Sequence, residues 1–88
     1  METENIKALI IEDDALAADL YQKMFKMVEK PSFDVKWAEN LAKALDYEGQ
    51  EHFDVILMDL HLPDSKGFDT FVKVKARAKD APIIILTG

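Results

Sequence analysis

The chain has no cysteine, which excludes disulfide staples, thiolate metal sites and cysteine nucleophiles. It has no long apolar run, and a membrane span needs roughly 20 such residues. Basic residues are in the minority, 11 Lys and Arg against 17 Asp and Glu for a net charge of −6. That balance argues against the chain itself gripping nucleic acid or an anionic membrane, since either needs a basic patch. The start, Met1-Glu2-Thr3-Glu4-Asn5, is acidic and lacks the basic and apolar regions of a signal peptide, so a cytoplasmic location is expected. With only three glycines, the chain places no glycine-rich phosphate loop after its first apolar run, which disfavours nucleotide binding. What remains is an ordinary globular composition, 49% hydrophobic and 32% charged over 88 residues. That is enough for one domain with a thin stability margin.

Short apolar runs alternate with longer amphipathic segments. Ile6 to Ile11 stops at Glu12-Asp13-Asp14, Val55 to Met58 stops at Asp59, and Ile83 to Leu86 stops at Thr87-Gly88. Runs so short and rich in Ile and Val predict strands buried on both faces, as in a parallel sheet. Phe33 to Ala38 alternates more and predicts an edge strand. Between them, Ala17, Leu20, Tyr21, Met24, Phe25 and Val28 share one helical face, with Asp14 as its cap and Leu16 and Met27 off the stripe. A second helix is expected after Asn40, burying Leu41, Ala44 and Leu45. A third is expected from about Gly67 to Ala78, with Phe68, Phe71, Val74 and Ala78 inward. The order β-α-β-α-β-α-β with right-handed crossovers predicts an α/β fold, one parallel sheet with helices on both faces.

In such a sheet the ligand crevice lies outside the carboxyl ends of the strands. Glu12, Asp13 and Asp59 should meet there, and their mutual repulsion calls for a hard divalent cation. Mg²⁺ suits one or two carboxylates plus phosphate oxygens. With the charge balanced, a carboxylate can attack phosphorus and form an acyl phosphate, while the Thr87 hydroxyl is placed to meet a phosphoryl oxygen. Asp14 is assigned to helix capping instead of the metal. His52 reads as surface, Trp37 and Tyr21 as core aromatics, and Pro63 and Gly67 as loop punctuation.

The segments Ile10-Ile11-Glu12-Asp13-Asp14, Val55 to Gly67 with its Asp-x-x-x-Pro-x-x-x-Gly spacing, and Pro82 to Gly88 resemble the receiver domain of two-component response regulators. The resemblance covers the whole chain and implies a single receiver over residues 1–88, flavodoxin-like and doubly wound, with strand order 2-1-3-4. It implies Asp59 as phosphoacceptor and Glu12, Asp13, Asp59 and the His61 backbone carbonyl as the Mg²⁺ site, with Asp13 the more direct ligand of the acidic pair. The His61 side chain becomes a rim group. Thr87 becomes the switch hydroxyl, and Gly88 leaves the phosphoryl site open. A histidine kinase or histidine phosphotransfer protein would be the donor.

The family pattern continues past a fourth strand through a helix, a lysine-bearing strand and a final helix. The expectation is therefore a receiver truncated after its fourth strand, with slower phosphoryl transfer. Its open fourth-strand edge would favour dimerisation, strand exchange or poor solubility. The competing expectation is a signalling-incompetent fragment that acts only as a fold or association module. An aspartate-nucleophile phosphatase is disfavoured, because His61 stands where those enzymes place a second aspartate.

Overall fold

A computed structural model describes residues 5–86. In chain order the elements are β1 (Asn5–Ile11), α1 (Ala15–Lys26), β2 (Ser32–Ala38), α2 (Leu41–Gln50), β3 (Val55–Asp59), β4 (His61–Leu62), β5 (Ser65–Lys66), α3 (Phe68–Ala78) and β6 (Ile83–Leu86). The main sheet is parallel throughout, in the order β2-β1-β3-β6, so β6 is the fourth strand of the expected 2-1-3-4 arrangement. The chain moves one way along the sheet for its first crossover and the other way for the next two. Right-handed crossovers therefore set α1 on one face and α2 with α3 on the other.

The larger core lies on the α2–α3 face. Alternate strand residues Leu9, Ile11, Ile56 and Met58 pack there with Leu41, Ala44, Val74 and Ala78. The intervening Ala8 and Ile10 turn to the α1 face and are equally buried. That face is less fully covered. Ala18 is buried and the Phe25 ring lies 4.8 Å from that of Phe33, but Leu20, Met24 and Val28, expected inward, are largely exposed. Among the described residues no element packs over that flank of α1. Tyr21, Met24, Phe25, Val28, Phe33 and Leu57 thus line an open apolar groove. Leu16 and Met27, off the stripe, are exposed as well.

Helix starts follow the sequence. Asp14 Oδ1 accepts from the Leu16 N–H at 3.0 Å, and Asn40 Oδ1 from that of Lys43 at 2.8 Å, each covering a donor the first helical turn leaves free. In α3 the phase differs from expectation. Phe68 is 73% exposed and stacks on half-buried Phe71, while Thr70 is buried. The Thr70 hydroxyl donates to Leu60 O at 3.0 Å and shares a 2.7 Å hydrogen bond with Ser65. These bonds draw position 70 inward, so Thr70, Val74 and Ala78 form the buried stripe and Phe68 turns out.

One buried group is unusual. Both carboxyl oxygens of Glu48, on α2, are buried with no hydrogen-bond partner. The residue borders a cavity of about 230 Å³ that Phe53, Ile56, Arg77 and Ala81 also line. Arg77 sends its Nη1 to Leu45 O at 3.4 Å. Burial pushes the Glu48 carboxyl up to about 7 from its usual 4.5, with the Arg77 charge opposing.

Candidate functional site

The site is built at the carboxyl ends of β1 and β3. Parallel pairing sets Ile11 opposite Met58, so the next residue of each strand, Glu12 and Asp59, emerges side by side. Glu12 is pinned through its main chain. Its N–H donates to Ala38 O at 3.0 Å, and its carbonyl accepts from Trp37 Nε1 at 2.7 Å. Trp37, expected in the core, is half-buried and serves instead as a strut behind the acidic pair.

The carboxylates do converge. One oxygen from each of Glu12, Asp13 and Asp59 lies within 4.8 Å of the others. Glu12 is buried, Asp59 half-buried and Asp13 exposed. Glu12 Oε2 accepts from the Asp14 N–H at 3.2 Å. Burial raises the Glu12 carboxyl above its usual range, the Asp14 N–H opposes that, and the neighbouring Asp59 and Asp13 raise it further. Among the described residues no lysine or arginine forms an ion pair with any of the three. Concentrated carboxylates without a cation of their own, all offering hard oxygen donors, fit a Mg²⁺-type ion. Asp14 is taken up in capping α1, as expected.

The loop after Asp59 is more ordered than punctuation. Asp59 Oδ1 accepts from the His61 N–H at 2.9 Å, which orients the carboxylate. The chain then forms a small antiparallel hairpin, β4 with β5, pairing His61 with Lys66 and Leu62 with Ser65. Leu62 is buried in the core and the His61 side chain is exposed. Leu60 O accepts from both the Gly67 N–H at 2.8 Å and the Thr70 hydroxyl, closing the base of the hairpin. Gly67 stands at φ 66°, ψ −148°, a region that side chains other than hydrogen make costly. At the tip, Asp64 reaches α2: Oδ1 accepts from the Leu41 N–H at 2.8 Å and Oδ2 from the Ala42 N–H at 3.0 Å. This contact is not legible in the sequence, because a lone Asp after Pro63 offers no signal for a partner so far back in the chain. His52 is exposed. Thr87 and Gly88 lie outside the described residues, while Leu86, the last residue of β6, pairs with Asp59.

The acidic cluster and the ordered loop after Asp59 thus meet at the carboxyl ends of a 2-1-3-4 parallel sheet. The family profile for the response regulator receiver domain matches residues 8–88. The chain belongs to this family, whose members are signalling domains of two-component systems and not turnover enzymes. It is 31% identical over 83 residues to the cell cycle response regulator CtrA of Brucella ovis, covering 94% of this chain and 34% of that protein. Among solved structures, the non-phosphorylated HemR receiver domain of Leptospira biflexa matches with a TM-score of 0.78 and 28% identity, over 93% of this chain and 64% of that one. A Burkholderia pseudomallei response regulator with a phosphorylated aspartic acid, calcium ion and citrate matches with a TM-score of 0.82 and 29% identity, over 94% and 47%. The chain thus spans about a third of the length of the curated relatives it matches. No described helix is long and apolar enough to cross a membrane.

Proposed function

We propose that this chain is a cytoplasmic phosphoacceptor receiver, spanning residues 1–88, that takes a phosphoryl group onto Asp59 from the phosphohistidine of a histidine kinase or phosphotransfer protein. An Asp59 carboxylate oxygen attacks phosphorus, the P–N bond breaks, and its electron pair returns to the donor imidazole. The supporting observation is the meeting of Glu12, Asp13 and Asp59 within 4.8 Å at the strand ends. These carboxylates, with the His61 backbone carbonyl, would hold Mg²⁺. When bound, the ion neutralises their charge and that of the phosphoryl oxygens. The His61 N–H keeps Asp59 oriented, and Glu12, fixed by Trp37 and Ala38, keeps its carboxyl abreast of it. Thr87 would bind a phosphoryl oxygen beside the small Gly88.

The test is exposure to acetyl phosphate or beryllofluoride with Mg²⁺, followed by mass spectrometry or fluorine NMR. We expect an adduct in the wild type and none in Asp59→Asn. A folded wild type that takes up neither reagent would overturn the reading.

That result would favour a second reading, an association module. It draws on β6, which among the described residues pairs only with β3 and exposes half of Ile84. An apolar strand edge of this kind templates pairing with another chain. Light scattering should then show dimers whose population rises with concentration.

A further inference from the structure

The hairpin after Asp59 is held at three levels. Its base is closed on Leu60 O by Gly67 and Thr70, and its middle is anchored by buried Leu62. Its tip is held by Asp64, whose two oxygens take the first two N–H groups of α2. Asn40, the local cap, covers only Lys43. The start of α2 is therefore completed by a carboxylate borrowed from the loop that carries the site.

The chemistry of this contact is specific. An ionised carboxylate is acceptor-only on both oxygens, so it can satisfy two parallel N–H groups, and negative charge is favoured at a helix N-terminus. An asparagine could satisfy one N–H but would turn a donor towards the other. The Leu41 N–H, with that of Ala42, holds the Asp64 carboxyl below the usual carboxylate range, so the grip stays charged in ordinary conditions. Three positions before Asp64, His61 donates to Asp59 Oδ1. His61 and the Asp64 tip belong to one short hairpin, in which His61 pairs with Lys66 and Leu62 with Ser65.

We propose that Asp64 is a positioning residue: by clamping the hairpin to the N-terminus of α2, it holds the His61 backbone in place against the Glu12, Asp13 and Asp59 cluster. The proposal rests on the phosphoacceptor reading above and deepens it. It makes α2 part of the support of the site, although α2 contributes no ligand.

The experiment titrates Mg²⁺ into wild type, Asp64→Ala, Asp64→Asn and Asn40→Ala, reading the fluorescence of Trp37, the single tryptophan, which is bonded to Glu12 O. Amide hydrogen exchange at His61 and Gly67, whose N–H groups bond Asp59 Oδ1 and Leu60 O, is followed in parallel. Removing partners that orient metal ligands directly weakens affinity about 10–100-fold, and Asp64 acts one link further out. We therefore expect Mg²⁺ affinity to fall about three- to ten-fold in Asp64→Ala and less in Asp64→Asn, with faster exchange at both amides. Asn40→Ala removes the other cap of the same helix. It should lower the thermal midpoint and leave Mg²⁺ affinity unchanged. Wild-type affinity retained in a folded Asp64→Ala would overturn the proposal alone, as would an equal loss of affinity in Asn40→Ala. A wild type with no Mg²⁺ response would overturn the phosphoacceptor reading and this proposal together.

Discussion

Replacing Glu48 by glutamine should make the protein more stable in mildly alkaline solution and change little in acid. The folded carboxyl titrates at about 7 against a usual 4.5. Between those values the folded state binds more protons than the unfolded one, so stability falls as pH rises. The Glu48 contribution is complete below about pH 4.5 and is lost as pH passes through 7. Ionising a carboxyl so displaced costs about 3 kcal/mol, and solvent screening at a half-buried residue reduces that to about 1–2 kcal/mol. The glutamine amide would keep the shape without the charge. Urea melts followed by circular dichroism at several pH values from 5 to 8 should show wild type losing about 1–2 kcal/mol relative to Glu48→Gln. For a domain of this size that is a difference of about 5–10 °C in thermal midpoint. Arg77→Met should steepen the wild-type loss, because the opposing cation is gone. Parallel wild-type and Glu48→Gln curves across the range would refute the reasoning, since the carboxyl would then be hydrated or paired in solution.

Other perturbations separate backbone, hydrogen-bonding and charge effects. Gly67→Ala should cost about 1–3 kcal/mol through the positive φ alone, because nothing lies within 4 Å of the added carbon; a neutral result in thermal melts would mean the loop relaxes freely. Thr70→Val should cost about 1–3 kcal/mol by stranding the buried Ser65 hydroxyl and one bond to Leu60 O, and Ser65→Ala should recover part of it in a double-mutant cycle. Millimolar Mg²⁺ should change Trp37 emission in wild type and not in a chain carrying Asp13→Asn with Asp59→Asn, with chelation by EDTA reversing the change.

Much of the fold was legible because parallel strands buried on both faces write themselves as unbroken apolar runs, and the acids that end β1 and β3 mark which edge is open. The caps at Asp14 and Asn40 were legible for the same local reason, a short polar side chain just before an amphipathic stretch. Phe68 was misread because periodicity counts apolar residues, and Thr70 is turned inward by hydroxyl bonds that periodicity does not see. Two-residue strands such as β4 and β5 are too short to show a period. Trp37 follows the alternation of its strand, which hides the bond from its indole to Glu12. Asp64 and Glu48 were invisible in another way: an acid reads as solvated until the fold supplies a helix end or a cavity. The convergence of Glu12, Asp13 and Asp59 was legible from the strand ends that carry them; the residues that brace them were not.

The pairing of Ile11 with Met58 has a consequence for how the protein can vary. Neighbouring strands lie about 4.8 Å apart whatever their side chains, so the gap between the Glu12 and Asp59 backbones is a property of polypeptide itself. Lengthening the turn between α1 and β2, or repacking the far ends of the helices, leaves that gap untouched. A slip of β3 by one residue would instead swing Asp59 to the opposite side of the sheet. The spacing of the Glu12 and Asp59 backbones is thus insulated from drift in those connections and sensitive to errors of alignment between the two strands.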